Sequence, residues 1–264
     1  LAFTASRGGR GWVEAYRALP FRWLLAAWVG IGLLAALWSP SVWTGLGLWR
    51  AYLLEPILAL AVVNVVLRDR PGRDRLRGSL WSVAAFVSIW AIGEFLTGKG
   101  IPSPWNVSIA AGRRATGPYG FPNAVALFLA PIAAYAGARA WLFREKFAGV
   151  AATFGFLATL AARSDGGALA ILAAWALALF AGKRGRWLLA VAAGAAALGA
   201  FFFPGIAHSV WKGLTFQGWS GVVRLYIWRE TWEMLQAHGF LGAGLGGYPI
   251  IFDAFHKARA IEIF

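Results

Sequence analysis

The chain has 264 residues, of which 59% are apolar and 14% charged, and 25 Lys and Arg against 11 Asp and Glu give a formal charge of +14. A soluble domain carries about 45–50% apolar and about 25% charged residues, so this balance, with 16 Trp and 19 Phe, excludes a disordered chain and points to a membrane protein. The absence of cysteine excludes a disulfide scaffold, a Cys zinc site, an iron–sulfur cluster and a Cys nucleophile.

A membrane-crossing helix needs about 20 mostly apolar residues, and seven candidates follow in chain order. They are Phe21 to Trp38, Arg50 to Leu67, Ser79 to Thr97, Gly120 to Ala138, Phe147 to Ala162, Gly167 to Ala181 and Trp187 to Phe203. The segment before the first, Leu1 to Pro20, carries Arg and Gly instead of an apolar core and does not read as a signal peptide. With Leu1 in place of Met, and Met234 as the single methionine, the sequence reads as a piece trimmed at both ends.

The second span contains Glu55 five residues after Arg50, on roughly the same face. Internal pairing is the ordinary reading of such residues and a proton relay the functional one. Glu94 in the third span carries the same two readings. Between the third and fourth spans lies PWNVSIAAGRRATGPYGFPN, Pro104 to Asn123. Its Gly and Pro spacing predicts a stiff turn leading into a helix and presenting Arg114 to an anion at the helix mouth. The plain alternative is a solvated turn. Between the fifth and sixth spans, AARSDGG (Ala161 to Gly167) is a polar, Gly-bearing break, so two helices are expected there in place of one. Arg163 and Asp165 read either as a local neutral pair or as part of a ligand site.

Loop cations orient the chain. Fifteen of the 25 precede the first span or follow the second, fourth and sixth, all on one face by alternation. That face is expected to be cytoplasmic. The expected architecture is therefore all-α and polytopic: a bundle over 1–203 with a cytoplasmic N-terminus, then an extracytoplasmic loop over 204–264. Arg113, Arg114, Arg163, Arg224 and Arg229 fall on the outer side. Guanidinium groups there suit phosphate, because the planar fork donates two parallel hydrogen bonds.

Within the loop, Val222 to Ala237 has helical periodicity, with Ile227, Trp228, Thr231, Trp232 and Leu235 on one stripe. Arg224 lies at the top of that stripe, one turn before Trp228, and the helix is expected to lie in the membrane interface. Arg229 and Glu233 read as a surface pair. The glycines from Gly239 to Gly247 include GxGxxG-like spacing, but no strand precedes them, so a dinucleotide site is a poor reading. His208, His238 and His256 lack metal-ligand spacing. His256 beside Asp253 is a candidate base pair or a plain loop histidine. No P-loop is present. Topology and bilayer burial account for the basic and aromatic residues, so nucleic acid is not an expected partner.

Four segments together resemble the O-antigen ligase and O-antigen polymerase family of bacterial glycosyltransferases. They are LGLWRAYLLEPIL (Leu46 to Leu58), RATGPYGFPNAVALFLAP (Arg114 to Pro131), LAARSDGGALAIL (Leu160 to Leu172) and RLYIWRETWEMLQAHGFLGAGLGGY (Arg224 to Tyr248). The resemblance implies a GT-C-like, multi-pass enzyme of the bacterial inner membrane. It would move a glycan from an undecaprenyl diphosphate carrier to a glycan, lipid or protein hydroxyl at the periplasmic face, with no metal or other cofactor. It assigns the diphosphate to Arg224, Arg114 and Arg163, with Arg224 as the catalytic residue, and gives supporting places to Arg50, Glu55, Asn123 and Trp228. At Arg163 the sequence departs from the family's Ser-Arg order, because here Arg precedes Ser164. The family's His-Asn pair would lie just past Phe264. The competing reading is a transporter or flippase for an anionic or lipid-linked solute, with Glu55 and Glu94 as its polar path.

Overall fold

The computed structural model describes residues 16–67, 69–180, 185–188, 215, 217, 219–239 and 242–256, and among them every regular element is helical. The chain divides into two compact units, one drawn from 1–70 and 203–264 and the other from 71–202.

The first unit begins with α1 (Arg22–Leu37), followed by α2 (Val42–Trp49), a π-helical turn (Arg50–Leu54) and α3 (Glu55–Val66). Ser39 and Pro40 separate α1 from α2, because proline lacks the amide hydrogen that would continue the helix. Gly45 packs under α1, where an added Cβ would come within 2.8 Å of the Ala36 carbonyl. The Trp49 indole donates to the Val29 carbonyl at 2.9 Å and ties the pair. The stretch Thr44–Gly47, which falls between the first two expected spans, is therefore helix, since Gly45 permits close packing. The second apolar run accordingly extends over Val42–Val65, longer than expected at its start.

The same unit carries α8 (Trp219–His238) and α9 (Tyr248–Phe252). The glycine run between them docks on the α1–α2 turn, with the Leu245 amide donating to the Ala35 carbonyl at 2.8 Å. Gly244 has φ +73°, and a Cβ there would meet Ser39 N at 2.7 Å. Both the backbone conformation and the clearance thus require glycine. This close approach accounts for the GxGxxG-like spacing without a nucleotide.

The second unit consists of α4 (Arg70–Thr97), a 3-10 turn (Gly117–Tyr119), α5 (Pro122–Phe143), α6 (Lys146–Ala161) and α7 (Asp165–Phe180). α4 starts at Arg70 where a cytoplasmic loop is expected. Pro71 sits in its first turn, Arg77 pairs with Asp74, and Arg75 Nε donates to the Pro71 carbonyl at 3.3 Å. These contacts carry the helix through its charged start. Ala84, Val87 and Ala91 of α4 share a core with Val125, Leu129 and Ala136 of α5 and Ala148, Ala151 and Ala158 of α6. The small side chains let the helices approach, as where Gly155 lies against Ala133. Trp81 bridges a wider gap to Tyr135, ring centroids 5.6 Å apart.

Three helical stretches among the described residues are long and apolar enough to cross a membrane: Val42–Val65, Arg70–Thr97 and Pro122–Phe143. α1, α6 and α7 are apolar but have 16 residues each, about 24 Å at 1.5 Å per residue. The fifth and sixth expected segments are two helices, α6 and α7, as the polar break between them suggests. The seventh, Trp187 to Phe203, lies almost wholly outside the described residues, among which three stretches have the length and composition of a span. Large apolar side chains point outward as well as inward. Leu127 is 79% exposed and Leu177 75%, while Leu129 and Ile171 are fully buried. An outer apolar surface of this kind is suited to hydrocarbon.

Candidate functional site

One end of the second unit gathers the polar groups. α4 ends at Thr97, and Gly98, at φ +73°, closes the helix by donating to the Glu94 carbonyl at 2.7 Å. Arg113 reaches over that end, Nη1 donating to the Phe95 carbonyl at 3.0 Å and Nε to Val107 at 2.9 Å. A Cβ on Gly98 would fall 2.6 Å from the Arg113 guanidinium. Arg113 is thus committed to capping orphan carbonyls.

Its neighbour Arg114 performs the same service for α6 and retains capacity. Nε donates to the Ala162 carbonyl at 2.9 Å, and Nη2 to Asn123 Oδ1 at 2.9 Å and to the Arg163 carbonyl at 3.5 Å. The Ala115 amide takes the Ala161 carbonyl at 3.0 Å. The C-terminal carbonyls of α6, the negative end of its dipole, are therefore covered by donors from this loop. The guanidinium lies over Trp105, 4.9 Å from the ring centroid. Nη1 has no partner among the described residues. Burial holds the Arg114 guanidinium below the ordinary arginine value, Asp165 opposes that shift, and Arg163 adds to it. The group stays charged, since arginine does not deprotonate in proteins.

The loop is positioned by a residue that the sequence presents as a relay candidate. Glu94 is 5% exposed. Its Oε2 accepts from the Thr116 amide at 3.0 Å, the Thr116 hydroxyl at 3.3 Å and the Gly117 amide at 2.8 Å, and its Oε1 from Trp90 Nε1 at 2.8 Å. Its acceptor sites are taken within the fold, so Glu94 is a latch that fixes Ala115 to Gly117 and, through them, Arg114.

Arg163 occupies the position after α6 with φ +49°. Its amide donates to the Leu160 carbonyl at 2.9 Å and the Ser164 amide to Thr159 at 3.3 Å. This is the two-bond helix stop that usually places glycine at the left-handed position. The Arg163 Nη2 donates to the Ile109 carbonyl at 3.1 Å, and the side chain is exposed. No ion pair joins Arg163 to Asp165 among the described residues, so the local-pair reading fails. A non-glycine residue held at positive φ costs about 1 kcal/mol. Arg163→Gly is accordingly expected to leave the melting temperature in detergent unchanged or raised. A lowered melting temperature would mean that the Nη2 bond to Ile109 outweighs the backbone strain.

Of the expected site residues, Arg114 and Asn123 are hydrogen-bonded to each other, and Arg163 joins them through its backbone and its charge. Arg50 and Glu55 belong to the first unit, where Arg50 Nε lies 3.1 Å from Glu55 Oε1, both side chains exposed. On an α-helix residues five apart point roughly 140° away from each other. The π turn, with the Glu55 amide bonded to the Arg50 carbonyl, brings them to one face. Arg224 and Trp228 lie one turn apart on α8, both exposed. Arg224 has no partner among the described residues. The buried face of α8 is Glu230 and Met234, not the Trp stripe. Arg229 and Glu233 pair at 3.6 Å as expected.

His256 pairs with Glu230, Nδ1 to Oε2 at 2.7 Å, and not with Asp253. It also stacks on Phe252, which stacks on Tyr248. The spacing of 26 residues hides this pair in the sequence. Trp105, beneath Arg114, likewise gives no sequence signal beyond its type.

No family model, no curated protein and no solved structure matches this chain.

Proposed function

We propose that the chain is the diphosphate-binding part of a membrane glycosyltransferase of the O-antigen ligase and polymerase type, working from a polyprenyl-diphosphate-linked glycan. The observation that carries this reading is Arg114. Its guanidinium is half-buried, immobilised by three acceptors and stacked on Trp105, and one edge remains uncommitted next to a second arginine. A donor fixed in advance in partly dry surroundings stabilises charge that develops on a leaving oxygen. In the proposed reaction the acceptor hydroxyl oxygen forms a bond to the anomeric carbon. The bond from that carbon to the phosphate oxygen breaks, its electron pair stays on the diphosphate, and the hydroxyl proton leaves to solvent or base. Attack from the opposite side inverts the anomeric configuration. Arg224, exposed on α8, is assigned to phosphate on the resemblance.

Sidedness is part of the proposal. Ser108 lies in the Arg114 loop, and Lys146 lies past the far end of α5, whose 22 residues span about 33 Å. In the complete protein in intact cells, an impermeant maleimide is expected to label a Cys at Ser108 and not one at Lys146. The reverse pattern would put the site on the cytoplasmic face and sink the periplasmic reading.

A transporter is the second reading, and the exposed Arg50–Glu55 pair on a π turn inside a membrane-length helix favours it. Ion or lipid flux in proteoliposomes that Glu55→Gln abolishes, with no glycan transfer, would select it.

A further inference from the structure

The turn between α5 and α6 lies at the opposite end of α5 from Arg114, and it reads Arg144, Glu145, Lys146. Glu145 does not neutralise its neighbours. Its carboxylate accepts from Arg139 Nε at 2.9 Å and stands 3.9 Å from Arg77 Nε. Among the described residues neither Arg144 nor Lys146 has an ion-pair partner, and both are exposed. Beside them opens a cavity of about 420 Å³ lined by Ala140, Trp141, Arg144, Glu145, Lys146 and Gly149, the Glu145 carboxylate being held by Arg139. A second cavity of about 350 Å³ shares Ala140, Trp141 and Gly149 with it and continues between α5, α6 and α7 to Trp175. The two form one groove with a cationic mouth and an apolar interior. The Trp175 indole N–H is spent on the Ala133 carbonyl at 3.0 Å and offers nothing to the groove.

We propose that this groove holds one anionic phospholipid, the phosphate on Arg144 and Lys146 and one acyl chain between α5, α6 and α7. The chemistry selects the occupant. Water gains little in an apolar slot with few polar partners. A peptide helix, about 10 Å across, is too wide for a slot of this volume. Inorganic phosphate suits the mouth and leaves the interior unfilled. A phospholipid satisfies both ends, because basic pockets between membrane helices attract anionic headgroups and the chain leaves water. Phe143 and Phe147, which bracket the turn in sequence, are exposed and suited to hydrocarbon. The site rests on the membrane character of α4 and α5 and is independent of the transferase reading.

The test uses the complete protein, delipidated in neutral detergent and titrated with phosphatidylglycerol, phosphatidylcholine, polyprenyl phosphate or inorganic phosphate. Bound lipid is counted by native mass spectrometry, and melting temperature is followed in parallel. Wild type is expected to retain one phosphatidylglycerol and to melt higher with it alone. Arg144→Gln with Lys146→Gln is expected to weaken that binding roughly tenfold to thirtyfold, with melting in phosphatidylcholine unchanged. Gly149→Leu, which fills the slot and leaves the charges, is expected to lose the retained lipid. Thr153→Leu, at an exposed lining position, replaces it if Gly149→Leu does not fold. Arg73→Gln with Arg75→Gln removes equal charge elsewhere and is expected to bind as wild type. The proposal is overturned if that control loses binding equally, if the slot-filling variant binds normally, or if phosphate or polyprenyl phosphate substitutes for the phospholipid.

Discussion

Glu94→Gln is expected to destabilise the second unit by about 3 kcal/mol and to abolish the proposed glycan transfer, although it changes a single atom. The Glu94 carboxylate receives the Thr116 and Gly117 amides on one oxygen and the Trp90 indole on the other. An amide side chain has one acceptor oxygen and one NH2 group. Whichever way it turns, two hydrogens face each other, either at the loop or at Trp90. A buried donor left without an acceptor costs about 1–3 kcal/mol, and loss of a charged acceptor costs more. Glu94→Ala leaves all of these donors unsatisfied and is expected to fall further. The melting temperature of the purified protein reads the first effect. If Glu94 were instead a proton relay, Glu94→Gln would melt like wild type and alter only the pH profile of activity.

α4 and α5 are legible in the sequence because bilayer-length apolar runs need no knowledge of their partners, and α6 and α7 as shorter apolar runs on either side of a polar break. The polar break at Arg163 to Gly167 likewise announces itself, since neither its charge nor its glycines suit a continuous span. What fails is whatever depends on close approach. Thr44 to Gly47 falls between two expected spans, and it is Gly45 that allows α2 to sit under α1 at Ala36. Arg70 to Arg77 reads as a solvated loop for its charges, and local pairing turns it into the first turns of α4.

The site divides along the same line. Arg114 and Asn123 both belong to the turn and helix entry that the Gly/Pro spacing announces, but nothing in the sequence says that they bond to each other. Arg113 and Arg114 are adjacent and of one type, so sequence cannot tell that the first is consumed in capping α4 while the second keeps a free edge. Glu94 lies 22 residues from Thr116, and a carboxylate at the end of an apolar helix looks the same whether it moves protons or holds a loop. Only the two amides that converge on its oxygen separate those roles. The Glu230–His256 pair escapes for the same reason.

On the proposed function, Arg114→Ala is expected to lower kcat for glycan transfer by roughly 100- to 1000-fold, the range for removing one preorganised donor to a developing oxyanion. Arg114→Lys separates charge from geometry. An ammonium keeps the positive charge but cannot serve Ala162, Asn123 and the substrate from one rigid plane. It is therefore expected to recover little activity while melting above Arg114→Ala. Asn123→Ala removes one of the three anchors and no charge, so a smaller loss, in kcat more than in KM, is expected from looser aim. Arg224→Ala, on exposed α8, is expected to abolish transfer with melting unchanged, because its side chain holds nothing within its own unit among the described residues. The assay is transfer from a purified polyprenyl-diphosphate glycan to its acceptor by the complete protein. Full activity in Arg114→Lys would mean that charge alone matters there, and that the anchored fork serves the α6 terminus and not the diphosphate.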